Sequence, residues 1–216
     1  MFTRIARRYD LMNALMTAGR HHAWRRAAAR AAVAAPPGPI LDLATGTGDL
    51  ARAVRRLDPA RVVVGVDFAE AMLARARGKL PGVPLTVADA LALPFADGAF
   101  AAVASAFLLR NLGDLPQGLR EMRRVCRPGG RVVTLDIVRP RPAPWAALFG
   151  LYFHHLVPAL GAVVAGDRRA YAYLPQSVAR FVTPEALAEL LRQAGLREVT
   201  WRTLGLGTVA LHVGVA

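Results

Sequence analysis

The chain has 216 residues, 54% of them apolar and 20% charged, which suits one large α/β domain and leaves too little length for two comfortable ones. Its 28 basic residues exceed 15 acidic ones, for a formal charge of +13. The cations are spread along the chain and are almost all Arg, so the charge invites acidic partners without specifying nucleic acid. A single cysteine, Cys126, excludes an internal disulfide and a Cys-rich metal centre, and beside Val125 in a helical stripe it is expected to be a packed core thiol.

The first 35 residues read as an N-terminal extension, Phe2 to Asn13, followed by a helical run through Trp24 to Val33. Arg4, Arg7, Arg8 and Asp10 interrupt the start, so no secretory pattern is found there and a cytoplasmic protein is expected. Pro36-Pro37-Gly38-Pro39 ends the extension. Strands are then predicted at 39–44, 61–66, 83–88, 99–106 and 130–138, alternating with helices at 48–57, 69–79 and 114–126. The last of these carries Leu115, Leu119, Met122 and Val125 on one face. Pro128-Gly129-Gly130 supplies a sharp turn into the strand after it. Helix 184–194 stops at Gly195, and the runs 197–203 and 208–215 form a hairpin around Gly205 and Gly207. The expectation is an α/β fold with a mostly parallel seven-stranded sheet, helices on both faces and a C-terminal antiparallel hairpin. It is one domain over 1–216, with a helical cap at 1–35 and an apolar insert or lid at about 142–175.

Residues 142–166 contain no Lys, Arg, Asp or Glu. Their length would allow a membrane span, but Pro158 and the pair His154-His155 fall inside it. A buried helical insert and an apolar lid meeting a greasy substrate or a membrane surface are the other readings.

Ile40-Leu41-Asp42-Leu43-Ala44-Thr45-Gly46-Thr47-Gly48-Asp49 is an apolar strand that breaks into glycines and then a helix. In an open α/β sheet this is where a nucleoside-containing cofactor lies against the backbone. The glycine pattern alone leaves NAD open. Asp42, Asp67 and Asp89 narrow the choice, because each falls at the end of a successive strand. A pyrophosphate is poorly served by three carboxylates, whereas a sulfonium bearing an α-ammonium is well served. Asp42 is placed to meet the ammonium, Asp67 the two ribose hydroxyls, and Asp89 with Ala90 the adenine edge. Each Asp taken singly reads equally as a helix N-cap.

That layout resembles the class I S-adenosylmethionine-dependent methyltransferases, which are Rossmann-like. Several segments resemble the UbiE/MenG/COQ5 family of ubiquinone and menaquinone C-methyltransferases: Phe2 to Asn13 with its Tyr9-Asp10-Leu11-Met12-Asn13, His22-Ala23-Trp24-Arg25-Arg26, Asp89 to Phe95, Ser105 to Asn111, Arg124 to Gly130, and Asp167 to Leu174. The resemblance implies S-adenosyl-L-methionine as cofactor, with Gly46 and Gly48 shaping the loop and Thr47, Asp67, Asp89, Ala90 and Ser105 at cofactor-binding positions. It places Arg110 and Asn111 at the methyl group, where the permanent Arg cation would stabilise a phenolate. Tyr9, Asp10, Asn13 and His22 would cap the substrate ring, and no metal is implied. The family often has glycine where Thr45 stands and lysine where Arg25 stands. Ala170 and Gln176 replace its usual serine and acid, which touches the substrate side only.

The expected activity is C-methylation of a polyprenylated quinol, most simply demethylmenaquinol, with a ubiquinone-pathway benzoquinol as the second choice. Peripheral contact with the inner face of the membrane is expected from the apolar segment and the charge, and a homo-oligomer is left open. A nucleic-acid methyltransferase would exploit the charge, but Phe107-Leu108-Leu109-Arg110-Asn111 lacks an Asn-Pro-Pro-Tyr-like base-handling group, so no nucleic acid is expected. A non-catalytic quinone or lipid carrier would not need the three strand-end carboxylates.

Overall fold

A computed structural model describes residues 8–141, 143–157 and 168–216. In it, helices α1 (Tyr9–Thr17) and α2 (Arg20–Val33) precede an alternation of β1 (Ile40–Leu43), α3 (Asp49–Leu57), β2 (Val63–Asp67), α4 (Glu70–Lys79), β3 (Leu85–Val87) and β4 (Phe100–Ala106). A 3₁₀ turn (Leu109–Asn111), α5 (Leu115–Val125) and β5 (Cys126–Ile137) follow. Next come α6 (Ala143–Leu151), which runs into a π-helical turn (Tyr152–Leu156), then α7 (Arg168–Arg180), α8 (Pro184–Gln193), β6 (Arg197–Leu204) and β7 (Val209–Val215).

The seven strands lie in the order β3-β2-β1-β4-β5-β7-β6, parallel except where β7 pairs with β5 and β6. Strand order reverses between β1 and β4, with Leu43 opposite Ser105. A crevice opens at such a switch point, outside the carboxyl ends of the strands. The alternation of a strand sorts the residues that flank it. Ile40, Ala102 and Ala104 pack towards the alanine face of α2 (Ala28, Ala29, Ala32) and Leu50, Ala51 and Val54 of α3. Leu41, Leu43 and Val103 pack towards Leu119 and Met122 of α5 and Leu187 and Leu191 of α8. Small residues on α2 let its backbone lie close over the sheet, which brings the N-terminal cap next to the glycine loop.

The strand and helix predictions hold within a few residues, with two instructive differences. β3 is only three residues long, because Pro84 cannot donate to a ladder and the strand is an edge. Cys126, predicted to end a helix, instead begins β5 opposite Phe100. The register shifts before Arg131 pairs with Ala102, so Arg127 to Gly130 bulge out. A Cβ on Gly130 would stand 2.7 Å from the Ala101 carbonyl oxygen, so the turn admits only glycine there. Cys126 is fully buried and burial lifts its thiol to about 11, which is the expected inert core thiol.

Part of the 142–166 prediction lies outside the described residues, at 142 and 158–166. In the described part, Phe153 and Val157 pack with Met12, Met72 and Val178, while Leu148, Leu151 and Leu156 remain exposed. No helix among the described residues is long and apolar enough to cross a membrane.

Candidate active site

The crevice at the β1/β4 switch has a volume of about 340 Å³, within the ~300–1,000 Å³ usual for small-molecule sites. Leu43, Ala44 and Gly46 form its floor, Asp67 and Met72 one side, Asp89 to Leu91 another, and Phe107, Leu108 and Asn111 the wall from β4. Of the predicted cofactor residues, Gly46, Asp67, Asp89 and Ala90 therefore meet around one cavity. Gly46 has φ +58° and open space where a Cβ would be, so the loop offers bare backbone. Ala44 (φ 56°) and Phe107 (φ 66°) are non-glycine residues in the left-handed region, at the ends of β1 and β4. Strain of this kind persists where surrounding structure enforces it, and it concentrates at binding sites.

The two interior acids are used structurally as well. Asp42 is fully buried; its Oδ2 accepts from the Thr45 hydroxyl at 2.7 Å and the Ala51 amide at 2.8 Å. Its Oδ1 has no partner among the described residues. Burial pushes the carboxyl up to about 7, with Thr45 and Ala51 pulling the other way. Asp42 faces a small cavity behind the glycine loop, shared with Arg25, Thr47 and Asp49. Asp67 Oδ2 accepts from the Gly46 amide and Oδ1 from the Ala69 amide, both at 2.8 Å. Burial also raises the Asp67 carboxyl, against those two hydrogen bonds. Asp89 is exposed and accepts from the Leu91 amide, so it serves as a local turn cap and still borders the crevice.

Thr47 and Ser105 stand elsewhere. The Thr47 hydroxyl donates to Asp10 Oδ1 at 2.6 Å and accepts from Lys79 Nζ at 3.0 Å. Lys79 also pairs with Asp10 at 2.6 Å and Asp49 at 3.0 Å. Burial would raise Asp49, but Arg25 and Lys79 outweigh it and hold the carboxyl below its usual range. Ser105 is buried on the α5 face of β4, in register with Thr134, and its hydroxyl has no partner among the described residues. It lies one layer behind the crevice.

On the substrate side, Asn111 lines the crevice and donates from Nδ2 to the Phe107 carbonyl at 3.1 Å. That contact fixes the amide orientation and leaves Oδ1 as an acceptor. Arg110, expected as a permanent cation at the methyl group, is ion-paired and buried. Its Nη1 pairs with Asp136 Oδ1 at 2.6 Å and donates to the Phe107 carbonyl at 2.8 Å, and its side chain is 7% exposed. The Phe107 ring lies between Arg25 (4.8 Å) and Arg110 (5.9 Å). Asp10 is engaged with Lys79, Asn13 keeps a buried Nδ2 with no partner among the described residues, and the side chain of Tyr9 lies outside them. His22 is exposed on a separate groove with Arg26, Arg52 and Arg56, so it is not brought to the crevice.

His21, His22 and Asp49 each bring one ligand atom within 4.8 Å of the others. Two cations oppose a metal there: Arg25 donates to His21 Nδ1 at 2.6 Å and Lys79 holds Asp49. Burial is the chief reason His21 falls to about 4, helped by Arg25 and His22, so the ring is a neutral acceptor at pH 7.

Sequence reasoning missed Arg25, Lys79, Asp49, Phe107 and Asp136 as members of the site. Lys79 had a signal, as the single lysine among 28 basic residues. Asp136 had none, since its pairing with Arg110 spans 26 residues of chain.

The ubiE/COQ5 methyltransferase family matches over residues 1–216. A demethylmenaquinone methyltransferase of Thermus thermophilus is 46% identical over 99% of this chain and 99% of its own. One of Deinococcus radiodurans is 45% identical over 99% of this chain and 90% of its own. The fold is similar to that of an S-adenosylmethionine-dependent methyltransferase of Thermotoga maritima, with a TM-score of 0.69, 19% identity and coverage of 99% and 97%.

Removing the Arg110 guanidinium strands a carboxylate that is 1% exposed. Arg110→Ala is expected to lower unfolding free energy by about 3–5 kcal/mol in urea melts, and the double change Arg110→Met with Asp136→Leu to recover most of it. Equal stability of Arg110→Ala and the parent would show the pair to be dispensable.

Proposed function

We propose that this chain, which belongs to the ubiE/COQ5 methyltransferase family of S-adenosylmethionine-dependent C-methyltransferases, methylates a ring carbon of a polyprenylated quinol, with demethylmenaquinol as its substrate. The observation that carries the reading is the crevice itself. It is largely apolar, holds carboxylates at the ends of β2 and β3, has Asp42 behind its loop, and is closed on the β4 side by Phe107, Leu108 and Asn111. The residues present fit the cofactor: Gly46 gives bare backbone, Asp67 keeps acceptor capacity for ribose hydroxyls, and Ala90 is small enough to border a flat base. When bound, S-adenosylmethionine supplies an electrophilic methyl on a sulfonium.

The protein's share is to activate the acceptor. A quinol ring carbon becomes nucleophilic as its neighbouring hydroxyl gives up or shares its proton, and a phenol titrates near pH ~10. Asn111 Oδ1 is the acceptor for that hydroxyl, and Arg110 supports the developing oxyanion from behind, its charge shared with Asp136. The ring proton leaves through water, since Arg110 cannot act as a base. Thr47 and Asp10 hold cap and loop together, and Ser105 supports β4. The purified protein with isotopically methyl-labelled cofactor and reduced demethylmenaquinone is expected to give one labelled methyl on the ring, seen by mass analysis. Cofactor binding without transfer to either the naphthoquinol or the matching benzoquinol would overturn the reading.

Asp42 sets a pH dependence. A proton on its carboxyl competes with the ligand's α-ammonium for Oδ1, so affinity for S-adenosylhomocysteine should weaken about tenfold per pH unit below about 7 and level off above it. Calorimetry across that range tests this; an Asp42→Asn variant with the same slope would contradict the assignment.

A peripheral contact with an anionic membrane face is supported by the groove of about 780 Å³ bearing Arg26, Arg52 and Arg56, and by exposed Leu151 and Leu156. Vesicles containing phosphatidylglycerol should carry the protein upward in flotation at low salt and lose it at high salt. Recovery at the bottom of the gradient in both conditions would reject the contact.

A further inference from the structure

A second cavity lies between α1, α6 and the β6–β7 turn, with a volume of about 550 Å³ and walls that are almost wholly apolar. We propose that it receives the polyprenyl tail of the quinol, an inference that rests on the substrate reading above.

Four observations point to a linear hydrocarbon. First, the groove has an apolar rim: Leu15, Leu148 and Leu206 are 47, 58 and 71% exposed. Apolar side chains gathered around a recess, and not scattered singly, mark a binding site. Second, the polar tips of its aromatics are already satisfied by backbone. Trp145 Nε1 donates to the Leu206 carbonyl at 2.8 Å, and the Tyr152 hydroxyl donates to the Met16 carbonyl at 2.6 Å. These bonds clamp α6 to the hairpin turn on one side and to α1 on the other, and leave ring faces towards the groove. Third, Tyr152 and Phe153 belong to the π-helical turn, a distortion that recurs at functional sites.

The fourth is continuity with the reaction site. Ile137, at the carboxyl end of β5, lines the groove, and its neighbour Asp136 grips Arg110 beside the crevice. A single cluster separates the cavities: Met72 faces the crevice, Met16 and Phe153 face the groove, and Met12 is packed among them. Three of the chain's five methionines thus stand in the partition. Met12, Met72 and Phe153 are 0, 2 and 7% exposed, so the partition is closed as it stands. Thioether side chains re-pack at little cost, and a tail attached to a ring in the crevice would reach the groove by displacing them.

The test compares two acceptors of the same naphthoquinol ring, one bare and one carrying a two-isoprene side chain, both free of detergent. Leu206→Asp and Leu148→Asp place a carboxylate on the rim. Leu206 has φ 58° in an exposed turn, where Asp is better tolerated than Leu, so this variant folds at least as readily. The expected result is that the KM of the tailed acceptor divided by that of the bare ring rises about tenfold in each variant. An unchanged ratio overturns the tail site. So does a ratio unchanged while a dimer seen by sedimentation dissociates, which would assign the groove to a second copy of the chain. Failure of the parent protein to methylate either acceptor would strike the quinol reading itself.

Discussion

The carboxylate of Asp42 is the contact on which the site is built. It stands on β1, an interior strand of the sheet, facing α3, with Oδ2 bonded to the Thr45 hydroxyl and the Ala51 amide. One oxygen thereby joins strand end, turn and first helical turn. Asp67 repeats the arrangement from the neighbouring strand by accepting from Gly46 and Ala69. Loop amides that would cradle a pyrophosphate in a dinucleotide-binding protein are here partly consumed by acids. A site so arranged repels phosphate and accepts a cation, which is the physical basis for preferring a sulfonium cofactor. The cost of burying Asp42 shows in its carboxyl, pushed up to about 7. Such a group gains most when a ligand cation arrives.

Lys79 ties the N-terminal cap to this loop. Its ammonium reaches Asp10, Thr47 and Asp49 within 3.0 Å. Three oxygens grouped around one point suit a compact ammonium with three donors; a planar guanidinium would have to spread them across a fork. A chain that otherwise uses Arg throughout keeps its one lysine where that geometry is required. Because Asp10 belongs to α1 and Thr47 to the glycine loop, closure of the cap and ordering of the loop share one set of bonds.

Much of this was legible in the sequence because it is local or periodic. Alternating strands and helices, the glycine turn and the strand-end carboxylates need only their neighbours to be read. What escaped depends on which face a side chain takes and on distant partners. Ser105 pairs with Leu43 and shares the face of Val103, yet it is buried and does not line the crevice that Leu43 reaches. Arg110 follows its strand end as predicted, yet Asp136 from the next strand claims the guanidinium. His22 lies on α2, one residue past buried His21, and a helix turns successive residues about 100° apart, so it faces solvent and the arginine groove.

The pairing of Arg110 with Asp136 changes what the wall from β4 can do. A free guanidinium at the methyl-transfer point would also repel the sulfonium whose methyl is to be delivered. Placing the charge behind Phe107, and balancing it with a buried acid, removes that conflict while keeping a polarised neighbour for an oxyanion. Phe107 is the spacer: its left-handed backbone aims the carbonyl at both Arg110 and Asn111. Its ring fills the gap between two cations and faces the crevice as an apolar surface. On the β4 side the crevice therefore offers an acceptor ring hydrocarbon and one amide oxygen, with the Arg110 guanidinium outside the lining and the carboxylates of Asp67 and Asp89 on its other walls. That favours a neutral aromatic acceptor over a charged one, and it is the same preference that the apolar groove on the far side of the methionine partition expresses for what the ring carries.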